Sequence, residues 1–205
     1  MHPHRVWYVL LLLASFVGSA SADTYNLTVN TSSIAGTAGS LDFNFNPGPL
    51  VSQAASLQIL SFSSDGTLSG SPSLIGDVSG ALPGTVTFDN GTGFNDYFQG
   101  FTYGSTLSFE VSLFGPALSS PDGVSTSGST FAFSMFSDPA GTIPTLTTNT
   151  TNGFAVTVDV NLDGTTTLTN YTGAGPSVVP EPGSWMLLGT GLGLLLLHLR
   201  RYARV

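Results

Sequence analysis

The chain has 205 residues, only 8% of them charged, with 4 basic residues against 12 acids, a net charge of −8 and no cysteine. A disordered chain carries more charge and fewer aromatics than this one, whose 14 Phe recur at regular positions, so a packed domain is expected. The missing cysteines fit an exported bacterial protein and a cytosolic one equally, and decide nothing about the compartment.

Residues 1–22 place one basic residue, Arg5, before the apolar run from Val6 to Val17 and then Gly18-Ser19-Ala20-Ser21-Ala22. That order is a secretory signal peptide, read by the Sec machinery, with Ala20 and Ala22 setting cleavage after Ala22 by signal peptidase.

From residue 23 to 172 the apolar period is two, the period of a strand with one buried and one wet face. Leu41, Phe43 and Phe45 alternate with Asp42 and Asn44. Leu107, Phe109, Val111 and Leu113 alternate with Ser108, Glu110 and Ser112, and Val156, Val158, Val160 and Leu162 with Thr157, Asp159 and Asn161. Turn signals separate such runs: Asp65-Gly66, Pro83-Gly84, Asn90-Gly91, Pro121-Asp122-Gly123 and Asp163-Gly164. The expected fold is all-β, an antiparallel β-sandwich or jelly-roll-like domain over 23–172. An internal echo supports it: Gly39-Ser40-Leu41, Gly104-Ser105-Thr106-Leu107 and Gly128-Ser129-Thr130-Phe131 each open a strand, and Pro47, Pro116 and Pro139 follow as stops. The intervals are too irregular for a solenoid.

Residues 173–179 read as a short Gly/Pro linker. Ser184 to Leu199 then gives 16 residues without Asp, Glu, Lys or Arg, roughly 24 Å as a helix, slightly short of the roughly 30 Å hydrocarbon core. Trp185 sits where an interfacial aromatic belongs, and Arg200, Arg201 and Arg204 follow as a positive-inside stop. A single C-terminal transmembrane helix is expected in the inner membrane, with the C-terminus cytoplasmic and the domain outside.

Val179-Pro180-Glu181-Pro182, then a glycine, an apolar span and an arginine cluster, resembles the PEP-CTERM sorting signal of exopolysaccharide-producing Gram-negative bacteria. The resemblance covers 180–205 and implies an exosortase as partner, removal of the tail, and delivery to the cell surface or extracellular matrix. Pro180, Glu181, Pro182, Arg200 and Arg201 are then a substrate of the sorting enzyme. Tyr25-Asn26-Leu27-Thr28-Val29-Asn30-Thr31-Ser32 and the stretch from Leu41 to Pro49 resemble the opening of a group of small PEP-CTERM proteins without assigned activity.

The inventory of the exported domain narrows its chemistry. All four arginines and all three histidines lie outside it and the chain has no lysine, while every acid except Glu181 lies inside, for a domain charge of about −11. Nucleophilic catalysis of the Ser-His or Cys-His kind lacks its base. Zinc sites lack their ligands, and nucleic acid or phosphate partners lack their cations. Carboxylate chemistry remains. A glycosidase would need two acids, and Glu110, the domain's one glutamate, has Asp96 as its candidate partner. Strand carboxylates of this kind serve solubility and edge protection, so no enzyme is expected.

No cofactor is expected either, calcium being the one cation the inventory admits. Asp159-Val160-Asn161-Leu162-Asp163-Gly164 matches the start of an EF-hand-like loop, with Asp159, Asn161 and Asp163 as ligands. Position 12 is Asn170 and no helical pattern flanks it, and the same residues read as a strand entering an Asp-Gly hairpin. Phe94-Asn95-Asp96-Tyr97-Phe98-Gln99 has the inventory of a sugar-gripping edge, with Asp96 and Tyr97 as ligand contacts, against a reading in which alternate aromatics face the core. The sequons at Asn26, Asn30, Asn90, Asn149 and Asn170 are expected by chance in so Asn- and Thr-rich a chain. The sequence reads as a secreted, structural or adhesive protein of the biofilm or exopolysaccharide matrix, with polysaccharide as candidate partner. A carbohydrate-binding module is the alternative.

Overall fold

A computed structural model describes residues 22–172. Ala22 is the first of them; Ala20, the linker over 173–179, Pro180, Glu181, Pro182, the apolar span, Arg200 and Arg201 lie outside. Among the described residues no helix is long and apolar enough to cross a membrane.

Eleven strands follow in order: β1 (Asp23–Asn30), β2 (Ala38–Pro47), β3 (Ser56–Ser64), β4 (Thr67–Ile75), β5 (Val78–Gly80), β6 (Val86–Asp89), β7 (Asp96–Thr102), β8 (Thr106–Phe114), β9 (Ser129–Phe136), β10 (Phe154–Val160) and β11 (Thr166–Asn170). A 3-10 turn at Ser32–Ile34 and a single helical turn, α1 (Pro116–Ser119), are the helical pieces among the described residues. The strands make two sheets, one in the order β1-β8-β3-β6-β5, the other β11-β10-β9-β2-β7-β4. Every strand pairing in them is antiparallel.

The alternation that marked the strands builds the core. Leu41, Phe43 and Phe45 from β2, Phe131, Phe133 and Met135 from β9, and Leu107, Phe109, Val111 and Leu113 from β8 are buried inside. The sheets meet through aromatic rings: Phe109 of the first lies 5.2 Å from Phe43 and 4.9 Å from Phe133 of the second, both edge to face. Each such ring contributes about 2–3 kcal/mol by burial, and an edge-to-face pair roughly another 1 kcal/mol.

The echoed strand starts have a steric cause at Gly39 and Gly128, where a Cβ would collide with the backbone carbonyls of Phe136 and Val160. Pro47 closes β2, while Pro116 and Pro139 fall just beyond β8 and β9. Leu162 departs from the pattern: β10 ends at Val160, so Leu162 belongs to the β10–β11 turn and stands exposed.

Strand direction gives the sandwich two unlike ends. Asp23, the loop after β2, α1 and the β10–β11 turn share one end. At the other lie the β9–β10 loop and Tyr171-Thr172, where the described chain leaves, with Tyr171 O accepting from Thr148 N.

Candidate functional site

Alternation that sends Phe43 and Phe45 inward sends Asp42 and Asn44 to the outer face of the second sheet. On β7, Tyr97, Gln99 and Phe101 are buried within the sandwich, while Asp96 and Phe98 face outward with them. Register then decides which groups meet. One row across the face runs Ser73, Phe98, Asp42, Ser134; the next runs Ile75, Asp96, Asn44, Ala132. Asp42 and Asp96 are therefore diagonal neighbours on adjacent strands, and their carboxyls meet in a hydrogen bond.

The surroundings of this pair are dry. Asp96 is 8% exposed and Ser134 2%, and Phe98, opposite Asp42, packs under the β9–β10 loop at Gly141. Asn44 Nδ2 donates to Asp42 Oδ1 at 2.7 Å. Its Oδ1 is the one buried side-chain polar atom among the described residues without a hydrogen-bond partner. Burial raises the Asp42 carboxyl to about 8, helped by a hydrogen bond and like charge from Asp96 and opposed by the Asn44 amide. Two acids in contact with no cation beside them oppose double ionisation; holding and releasing a proton at Asp42 is what the arrangement can do chemically. The sequence offered Asp42 and Asn44 only as polar positions in an alternation, because nothing local tells that β2 lies beside β7.

The residues expected to bind ligands are already occupied. Tyr97 is fully buried; its hydroxyl accepts from Leu82 N at 3.0 Å and bonds Gln99 Oε1 at 3.3 Å, leaving no ring face for a sugar. Asn95, beside it, is a corner post: Nδ2 donates to Phe45 O at 2.9 Å and Thr92 O at 3.0 Å, and Oδ1 accepts from Asp77 N at 2.8 Å. Of the stretch from Phe94 to Gln99, only Phe94 stands in the open, 52% exposed. Glu110 and Asp96 occupy the outer faces of different sheets with the whole core between them, so they cannot flank one glycosidic bond.

Asp159, Asn161 and Asp163 lie along a hairpin, β10 pairing β11 from Val156 opposite Asn170 to Val160 opposite Thr166. Their oxygens and amide serve separate local bonds. Asp159 Oδ1 accepts from Thr130 Oγ1 at 2.6 Å, Asn161 Nδ2 donates to Thr165 and Thr167 hydroxyls, and Asp163 Oδ1 accepts from Thr165 N at 3.0 Å. Among the described residues no group of three or more acids, His or Cys is placed to hold a metal ion. At the Asn90 sequon, the amide bonds Gln53 O and Ser129 Oγ at 2.8 Å and Ala55 N at 3.0 Å, a structural post rather than a free acceptor.

No curated protein and no solved structure matches the chain. Residues 178–201 match the PEP-CTERM protein-sorting motif, a span that contains Pro180, Glu181, Pro182, Arg200 and Arg201. The chain thus carries a PEP-CTERM sorting motif, the mark of an exported protein that an exosortase handles at the membrane of a Gram-negative bacterium.

Proposed function

We propose that this protein is a non-enzymatic structural or adhesive component of the cell surface or exopolysaccharide matrix. It is held in the inner membrane only until an exosortase removes the tail that carries Pro180, Glu181 and Pro182. The sorting motif at 178–201 carries the reading. Two features of the domain support the role assigned after sorting. The described chain leaves at Thr172, at one end of the sandwich, and the loops of interest lie at the opposite end. That far end carries exposed Leu50, Val51, Phe94, Val124 and Leu162, apolar groups suited to contact. The loops that present them are tied together, Thr126 N and Ser127 N both donating to Val51 O.

The test is the intact mass of the native protein recovered separately from membranes and from medium or matrix. A species beginning at Asp23, ending near Pro180 to Pro182, found outside the cell and lost when the exosortase is deleted, is the expected result. A full tail ending at Val205 in membranes alone would refute sorting. With a domain this acidic, retention in an acidic polymer needs bridging divalent cations and is expected to weaken in EDTA; unchanged retention would argue against bridging.

A further inference from the structure

Asp42 and Asp96 tie two strands whose partners differ in how firmly they are held. β2 is central, paired along its length by β7 and β9. β7 has only β4 beyond it, an edge strand whose register breaks between Ser69 and Ser73 and whose residues are mostly exposed. A tie between β7 and β2 on the outer face therefore adds to the backbone ladder that holds this side of the sandwich.

Charge cannot be balanced there by a side chain. The titratable groups on elements packed around the pair are Asp159 on β10, bonded to Thr130, Asp138 in the β9–β10 loop, bonded to Thr142 and Ile143, and Asp77 beyond Asn95. β9 contributes Ala132 and Ser134 and β4 contributes Ser73 and Ile75, none of them ionisable. Residues 22–172 contain no Lys, Arg or His. The orphaned Asn44 Oδ1, opposite Asp96 in register, adds one more acceptor without a donor to this cluster of oxygens.

We propose that the Asp42–Asp96 pair is a proton-held latch between β2 and β7, closing the β4–β7 side of the sandwich when protonated and loosening it as the surroundings turn alkaline. Burial raises Asp42 to about 8, which puts the change within the range an extracellular domain meets directly. Once both carboxyls are charged, like charges face each other in a largely buried site with no cation beside them, and their repulsion acts across the β2–β7 ladder. Backbone groups of β2 that β7 covers then become available for pairing with another chain.

The experiment uses the full chain with 13C-labelled aspartate, titrated from pH 3 to pH 10, alongside hydrogen exchange corrected for intrinsic base catalysis. The Asp42 carboxyl signal is expected to move in a step near pH 8. Protection over 67–75 and 96–102 is expected to fall by about tenfold or more between pH 6 and pH 9.5, while 107–113 in the other sheet holds. Asp96→Asn, which keeps a hydrogen-bonding group and removes the charge, is expected to move the Asp42 step to lower pH and abolish the alkaline loss of protection. Asp42 titrating near pH 4, or equal protection of β4 and β7 at both pH values in the native chain, would overturn the latch whether or not the variant folds.

Discussion

Aspartates in the turns and Asp42 in the sheet are pushed in opposite directions, the first by donors and the second by burial. In the turns, Asp65, Asp122, Asp138 and Asp163 sit in water and collect donors. Asp65 takes Ser105 Oγ, Ser105 N at 3.0 Å and Thr106 N at 2.9 Å, which lower it to about 2. Ser125 and Val124 lower Asp122, and the Thr165 hydroxyl and N–H lower Asp163. At Asp138 desolvation pushes the other way and is outweighed by the Ile143, Thr142 and Ala140 donors. In the sheet, Asp42 has one amide donor and another acid for company, and rises. A carboxylate in a turn is thus a fastener in its charged form, whereas Asp42 in the sheet fastens in its neutral form.

The largest expected effect follows from Asp42. Asp42 in the folded chain keeps a proton that the unfolded chain releases near pH 4, so the folded state binds more protons between about 4 and about 8. Its contribution is complete below pH 4, falls as pH rises through that window, and is gone above about 8. At about 1.4 kcal/mol per pH unit the ceiling is roughly 6 kcal/mol. Urea unfolding followed by tyrosine fluorescence from pH 4 to pH 9 measures it, and Asp42→Asn should flatten the slope. A native chain equally stable at pH 5 and pH 8 would erase the contrast.

Turns are legible in sequence because their chemistry is local. Asp163 is followed by Gly164 and Thr165, and the hairpin forms with Gly164 at φ 83°. The buried faces of β2, β8 and most of β10 were equally legible, since alternation needs only neighbours. Leu162 misled because the period continues for one step past the last ladder pair, Val160 opposite Thr166. The Asp42–Asp96 pair was illegible for the converse reason: it exists only through the register of β2 against β7, set by pairings such as Phe43 opposite Tyr97 across a long stretch of chain. Tyr97 likewise looked available for a ligand until its hydroxyl was seen to hold Leu82 N.

Amides repeat the contrast and sharpen it. Asn95 at the corner before β7 is fully buried with its donors and acceptor paired; Asn44 in the sheet uses its donor and leaves its acceptor orphaned. Asn95→Ala should cost about 3 kcal/mol, because Phe45 O, Thr92 O and Asp77 N all lose a partner. Asn44→Ala should cost less than about 1 kcal/mol, since it removes an unsatisfied buried atom along with one hydrogen bond. It should also strengthen the hold of Asp42 on its proton, because the Asn44 amide is the group that opposes protonation. Comparable losses from the two substitutions, read from urea midpoints at pH 6, would mean that Asn44 Oδ1 has a donor after all.

The smallest effect belongs to the turns and appears only in acid. Asp65 has its folded value below its unfolded one, so its contribution is present above pH 4 and disappears as pH falls toward about 2. Asp65→Asn keeps an acceptor for one of the Ser105 and Thr106 N–H groups but no charge. The variant should be slightly less stable than the native chain at pH 6 and indistinguishable from it at pH 2. A gap that persisted at pH 2 would mean that Asp65 works through shape rather than charge. Together Asp42 and the turn carboxylates place the stability maximum on the acid side of neutrality, near pH 4 to 5. There the turn carboxylates are still charged, the sheet pair still holds its proton, and the mutual repulsion of a domain without cations is smaller than at alkaline pH.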